Sequence, residues 1–313
     1  RQRQMCIRDR AYLYEGLAGG AYKERTEIFM MDMMKKGAAL MGAALLTVTL
    51  WSTPVMAAVN VPANLAAVSK TVKGAAPYGV YFSDLKTGKG YYRNSVQTPA
   101  ASMIKVFILA AAYEDIRDGK LSLTETFTLT DKNVVAGSGV LQGMPKGTTV
   151  TVKKALDEMI IHSDNTATNL MIDRLGMDRV NRYLKEHGYK DTTLRRKMMD
   201  FDAAKKGAEN MTTVRDVGLL FKRLYQGKCV SKDLDAQMLA IYKAQVDTDM
   251  LPDKLPKGTV VAHKTGEVRD LRHDGGIVYT AKGDYVLVVF TRDYTPYASV
   301  ADLSRRVYDG YVK

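Results

Sequence analysis

A serine followed three residues later by a lysine, Ala101-Ser102-Met103-Ile104-Lys105, opens the apolar run Val106-Phe107-Ile108-Leu109-Ala110-Ala111-Ala112, with Pro99 just upstream. The pattern predicts a helix from Ser102 to Gly119 about which the other elements are arranged. Residues at i and i+3 share a helix face, so the Lys105 amine is expected within hydrogen-bond reach of the Ser102 hydroxyl. A serine hydroxyl is a poor nucleophile until a base takes its proton. Lysine can be that base when desolvation, nearby positive charge and a helix N-terminus lower its pKa. The N-terminus also offers a backbone N–H to an oxyanion. By itself the pattern is more simply an N-cap serine ahead of a surface lysine.

The elements on either side set the fold class. Val59 to Val72 reads as a short helix, with Leu65, Val68 and Val72 at helical spacing. Tyr78–Phe82 and Gly90–Tyr92 flank a Gly-containing loop and read as a hairpin whose tyrosines pack on the sheet. Helices are expected at Thr151–His162, Thr166–Leu175, Asp178–His187 and from Thr213 to Gly227, with a long aperiodic excursion from Lys190 to Asn210. Strands are expected at Thr259–Lys264, Gly276–Thr280 and Tyr285–Thr291, before a last helix at Ser299–Tyr308. A hairpin, many helices, three strands and a helix describe an α+β fold. Its antiparallel sheet is flanked by N- and C-terminal helices, with an all-helical part (about 99–256) inserted into an α/β layer (about 59–98 and 257–313).

Two further stretches change the reading of Ser102. Ser163-Asp164-Asn165 follows an apolar helix on its closing turn, and Lys264-Thr265-Gly266 ends a Val- and Thr-rich strand. Each is ordinary alone: the first fits a helix cap, the second a strand meeting a turn. Their order is specific. The serine of the second motif lies 61 residues after Ser102, and Lys264 another 101 residues on. The three motifs together are those of class A β-lactamases and penicillin-binding proteins.

From about Val59 to Lys313 the chain therefore resembles the class A β-lactamases and their penicillin-recognising relatives, most of all secreted serine hydrolases of Gram-positive-type bacteria. The resemblance implies a β-lactamase/transpeptidase-like fold and an acyl-serine mechanism with no cofactor or metal. It implies Ser102 as nucleophile and Lys105 as its proton acceptor, directly or through a water. Ser163 would relay a proton to the leaving nitrogen, and Asn165 would orient Lys105 and bind the substrate amide. Lys264 would raise the local positive potential, Thr265 would bind the substrate carboxylate, and Gly266 would keep the strand edge open. The backbone N–H groups of Ser102 and Glu267 would form the oxyanion hole. Asp164 reads as a structural cap. The implied partner is a β-lactam or a peptidoglycan stem peptide, and a monomer is expected.

The chain departs from the resemblance in two places. Class A enzymes carry a glutamate in the loop between the second and third motifs, where it activates the deacylating water. Aligned on Leu194, that position falls on Met198, and no Glu-x-x-Leu-Asn pattern is present. Asp200 is the nearest substitute, and Asp202 and Glu209 are weaker ones. The arginine that usually pairs with the substrate carboxylate has no positional match: Arg269 and Arg272 lie near, beside His273 and Asp274. Three readings follow: a β-lactamase, a D-Ala-D-Ala carboxypeptidase-like peptidoglycan enzyme, or a penicillin-binding sensor acylated without efficient turnover.

The remaining features constrain the setting. Net charge is +12; residues 1–57 hold eight basic and five acidic side chains, leaving about +9 on the remainder. That suits work beside an anionic cell envelope. Nucleic acid is not indicated, since no basic helix, Lys/Arg block or zinc spacing is present. Residues 1–33 lack periodicity and read as translated upstream sequence. Residues 34–57 read as a signal peptide: Lys35-Lys36, the 15-residue apolar run Gly37–Trp51, and small residues for cleavage near Ala57. An uncleaved anchor is the alternative, and a secreted or cell-envelope location is expected in either case. Of the two cysteines, Cys6 falls in the upstream segment, so Cys229 is expected as core filling or a quiet thiol.

Overall fold

Tyr285-Val286-Leu287-Val288-Val289-Phe290 carries no charge, and all six residues are buried. The computed structural model describes residues 63–75, 78–293 and 295–313. The upstream segment, the leader, Cys6 and the start of the first helix at Val59 lie outside the described residues. The apolar run forms β9 (Tyr285–Phe290), the middle strand of a five-stranded antiparallel sheet. Its neighbours are β1 (Gly79–Asp84) and β8 (Leu271–Val278), flanked by β2 (Gly90–Arg93) and β7 (Val261–Val268), in the order β2-β1-β9-β8-β7. Side chains alternate across a strand, so a run apolar at every position needs cover on both faces. Tyr285, Leu287 and Val289 pack with Leu65, Val68, Val300 and Leu303 from α1 (Ala63–Lys73) and the C-terminal helix Tyr297–Val312. Val286, Val288 and Phe290 belong to the larger core on the other face, with Val217, Leu220 and Phe221.

The larger core is built round α2 (Lys105–Arg117). Every residue from Lys105 to Asp115 is buried, as an all-round apolar helix requires. Around it lie α3 (Val152–Ile161), α4 (Asn165–Leu175) and α5 (Met177–Glu186). A short α6 (Phe201–Lys205), then α7 (Val214–Tyr225) and α8 (Lys232–Lys243) complete the helical part, and the C-terminal helix is α9. Two small ribbons accompany the helical part, the first joining it to the sheet layer and the second lying within it. One pairs β3 (Thr98–Pro99) with β6 (Met211–Thr212), the other β4 (Thr126–Thr128) with β5 (Thr149–Thr151).

The structure corrects several expected boundaries. The helix expected from Ser102 begins as a 3-10 turn, Ala101–Ile104, and becomes α-helical only at Lys105. Lys264-Thr265-Gly266 lies in the middle of β7, which runs on to Val268. β8 starts at Leu271, five residues before the expected Gly276, because His273 and Asp274 are buried strand residues rather than turn polar groups. The helix α8 and the β4–β5 ribbon have no counterpart in the sequence reading. The excursion from Lys190 to Asn210 is ordered by two asparagines on other segments and by Asn210 at its own end. Asn181 exchanges two hydrogen bonds with the Leu194 backbone (2.8 and 2.9 Å), and Asn169 does the same with Met198 (2.8 and 3.0 Å). Asn210 accepts from Arg195 and Arg196 N–H and donates to the Arg196 carbonyl.

Candidate active site

Three elements meet at Ser102. The 3-10 turn that carries it is entered through Ala101, a non-glycine residue at φ +46°, a conformation that costs about 1–2 kcal/mol. The surroundings hold it there. Ala100 N–H donates to the Asn210 carbonyl (2.7 Å), and His273 Nε2 donates to the Pro99 carbonyl (3.1 Å). Thr291 N–H lies 3.4 Å from His273 Nδ1, which fixes that nitrogen as acceptor. Burial pushes His273 down to about 4, so it is neutral and acts as a fixed strut for the segment that leads from Pro99 into the Ser102 turn.

Lys105 is fully buried, one helical turn on from Ser102. Its Nζ donates to the Ser163 carbonyl (2.6 Å), Ser163 Oγ (3.1 Å) and Asn165 Oδ1 (3.0 Å). The sequence expectation of a Lys105–Ser102 hydrogen bond is thereby corrected: the amine's partners all come from the second motif. Burial, then the charge of Lys264, holds the Lys105 amine well below its ordinary range, against the opposing pull of Asp164 and Asp247. A lysine so placed gives up its proton more readily than an ordinary lysine and can act as a base.

The second motif owes its shape to Asp164. Ser163 sits at φ +53° between α3 and α4, and Asp164 caps α4 by accepting Ala167 N–H (2.8 Å). Its other oxygen accepts Leu141 N–H (2.8 Å). The loop Gly137-Ser138-Gly139 lies against it. Ser138 carbonyl accepts Asn165 N–H (3.0 Å), and a Cβ on Gly139 would sit 2.2 Å from the Asp164 carboxylate. Asn165 Nδ2 faces the Ala136 carbonyl (3.4 Å), which turns Oδ1 toward Lys105.

β7 is the edge strand, and its outer side meets the Ser102 turn. A Cβ on Gly266 would lie 3.1 Å from the Met103 backbone nitrogen and 3.4 Å from the Ala100 carbonyl, so glycine allows this approach. Glu267 stands opposite Arg272 in the register. Arg272 turns its N–H and C=O to Thr291, away from β7, so the two are a non-hydrogen-bonded pair. The Glu267 N–H therefore points away from β8, toward the side where Ser102 lies. Lys264 is fully buried and donates to the Thr265 carbonyl (2.7 Å); burial brings it down to about 8. Thr265 Oγ1 donates to Asp247 Oδ2 (3.1 Å).

The structure places the other candidates away from this cluster. Asp200 is exposed and caps α6 by accepting Ala203 N–H (2.9 Å); it makes no hydrogen bond to Ser102, Lys105, Ser163 or Asn165. Asp202 is exposed, and Glu209 is paired with Arg196 (2.8 Å). Met198 has its backbone clamped by Asn169 and packs against the main core. Arg272 lies over the Tyr297 ring (5.3 Å) and donates to the carbonyls of Arg269 and Leu271. His263 pairs with buried Asp274 (2.9 Å), and His162 contacts Glu158. Cys229 is buried beside Tyr183, and burial pushes its thiol up to about 12. Sequence reasoning missed Asp247, the strut His273 and the three asparagines that clamp the loop; their sequence neighbours carry no signal of these roles.

Comparisons with known proteins bear on the family and the fold. A beta-lactamase of Streptomyces lavendulae is 28% identical over 237 residues, 73% of this chain and 77% of that protein. The crystal structure of a beta-lactamase from Sphaerobacter thermophilus superposes with a TM-score of 0.71 at 27% identity, covering 80% of this chain and 97% of the other. A variant of PBP-A, solved as an acyl-enzyme complex with penicillin G, gives a TM-score of 0.71 at 29% identity, covering 80% of this chain and 96% of the other. The sequence model of the beta-lactamase enzyme family matches residues 61–311, and this chain belongs to that family.

Proposed function

We propose that the chain is a secreted serine hydrolase that opens a β-lactam or a D-alanyl peptide amide through an acyl-Ser102 intermediate. The observation that carries this is the buried Lys105 amine, shared between Ser163 and Asn165 one turn from Ser102. As a neutral amine Lys105 has two N–H donors and one lone pair. The Ser163 carbonyl and Asn165 Oδ1 only accept, so they take the two donors. The third partner, the Ser163 hydroxyl (3.1 Å), then faces the lone pair, and the Ser102 proton reaches Lys105 through that hydroxyl or a water.

In the first step Ser102 Oγ bonds to the substrate carbonyl carbon and its proton passes to Lys105. The oxyanion is held by the N–H groups of Ser102 and Glu267. Then the C–N bond breaks. The leaving nitrogen takes the Ser163 hydroxyl proton, and Lys105 restores it. The positive charge of Lys264 helps to hold the Lys105 amine below its ordinary range.

Met198 favours a second reading of the later step. No carboxylate stands at that position, so hydrolysis of a β-lactam adduct should be slow, by roughly 10²–10⁴ if the missing group is a general base. A long-lived adduct suits a cell-wall carboxypeptidase or a penicillin-capturing protein. The test is intact-protein mass spectrometry of the chain with benzylpenicillin over time, with Ser102→Ala as control. A transient adduct with accumulating product supports a β-lactamase, and a persistent adduct supports the second reading. No adduct overturns the acyl-serine mechanism.

A further inference from the structure

Thr265, to which the sequence resemblance assigns a substrate carboxylate, already holds one. Its hydroxyl donates to Asp247 Oδ2 at 3.1 Å. Asp247 belongs to the segment after α8, and that segment is fastened to the end of α3, next to Ser163. Gln245 Nε2 donates to the Ile160 carbonyl (2.8 Å), Val246 N–H to the Ile161 carbonyl (3.3 Å), and Asp247 N–H to Gln245 Oε1 (3.0 Å). The backbone of Asp247 is therefore fixed, and its carboxylate is delivered to the subsite.

Three acids act on buried Lys264: Asp247, Asp274 and Glu267. Two of them are engaged elsewhere. Asp274 is shared between His263 and Leu251 N–H, and Glu267 accepts from Tyr297 and lies 3.6 Å from Arg272. Among the described residues no Lys, Arg or His nitrogen lies within 4.0 Å of Asp247. Lys264 supplies one positive charge to this subsite, and Asp247, though more than 4.0 Å from the Lys264 amine, sets a carboxylate in the same field on the Thr265 hydroxyl before any substrate arrives. A substrate carboxylate would have to displace the Thr265 hydrogen bond and accept a like charge beside it.

Resting on the proposed acyl-serine function, we propose that Asp247 is a specificity-determining residue. It occupies the anion subsite of Lys264 and Thr265 and turns the site toward acyl donors with an uncharged ester or amide where a β-lactam or D-alanyl peptide carries its carboxylate.

The test uses a pair that differs only in that charge, benzylpenicillin and its methyl ester. Second-order rates of Ser102 acylation are measured by intact mass for the full chain and for Asp247→Asn. In the unaltered protein the ester is expected to acylate at least as fast as the acid. Asp247→Asn should raise the acid-to-ester ratio at least about tenfold, a small part of what a unit charge exerts over a few ångströms in a half-buried site. A ratio that stays within twofold overturns the proposal while leaving acylation of Ser102 standing. No adduct with either compound overturns the proposed function and this inference together. Asp247→Ser, which keeps a hydroxyl partner for Thr265, serves if thermal melting shows Asp247→Asn to be misfolded.

Discussion

Asp164 is buried, and each of its carboxylate oxygens has one backbone donor: Ala167 at the start of α4 and Leu141 in the loop before it. Replacing it with alanine removes a helix cap, about 1 kcal/mol. It also strands the Leu141 N–H, a further ~1–3 kcal/mol. The sum is about 2–4 kcal/mol, which for a domain of this size lowers the melting temperature by roughly 5–15 °C. Asp164→Asn separates the two roles. Its Oδ1 can still cap α4, but its Nδ2 then meets the Leu141 N–H donor to donor, so it should cost about 2 kcal/mol. Urea denaturation of the two variants, with unchanged m values, measures both. If both lie within about 0.5 kcal/mol of the unaltered protein, Asp164 is not the joint between loop and helix, and the reasoning fails.

Other consequences can be checked directly. Acylation should follow a bell in pH. It rises as Lys105, held well below the ordinary lysine range by burial, loses its proton, and falls above about 8 as Lys264 loses its own. Lys264→Arg keeps the cation and should move only the alkaline limb upward; an unmoved limb would remove Lys264 from the profile. The same group sets a stability trend. Its folded value of about 8 lies below the ~10.4 of an unfolded chain. The unfolded state therefore binds more protons between those values, and stability should rise by up to about 3 kcal/mol across that window. Lys264→Met should reduce the rise in denaturation curves taken from pH 8 to 10, leaving the share that buried Lys105 contributes. Met198→Glu should shorten the lifetime of a benzylpenicillin adduct by 10²-fold or more; an unchanged lifetime would show that position 198 does not reach the deacylating water. Gly266→Ala puts a Cβ 3.1 Å from the Met103 backbone nitrogen, and should cost about 1–3 kcal/mol of stability and slow acylation by tenfold or more. Equal melting and rates would mean the turn yields freely.

Much of the architecture was legible because apolar spacing carries it. The stripe in Val152–Ile161, the capped helix after Thr213 and the run Tyr285–Phe290 each declare their element and the faces they bury. What periodicity concealed is polar. His273-Asp274-Gly275-Gly276 has the composition of a turn, yet it is strand, because His273 and Asp274 find fixed partners in Pro99, His263 and Leu251. Lys264 and Glu267 broke the alternation of β7 because this strand faces the site. The three motifs of the site were visible as tripeptides. Asp247 was not, because its importance comes from the distant contacts of Gln245 and Val246, which bring it to Thr265. The clamped loop was hidden for the same reason: Asn169, Asn181 and Asn210 look like any surface asparagine until their partners are known.

The pairing of β1 with β9 has a consequence for the order in which the chain can become active. Val80 lies opposite Val289, so the sheet closes only when segments some two hundred residues apart have met. Closing so long a loop is slow relative to local contacts, and it waits for the last strand to be synthesised. Lys264 and Thr265 come from β7, which is joined to the sheet through β8 and β9. A nascent chain or C-terminal truncation ending before β9 can build α2 and present Ser102, but lacks the strand that anchors β8. Covalent labelling of Ser102 would then report complete synthesis and sheet closure, and its time course during refolding would follow the slowest long-range step rather than helix formation.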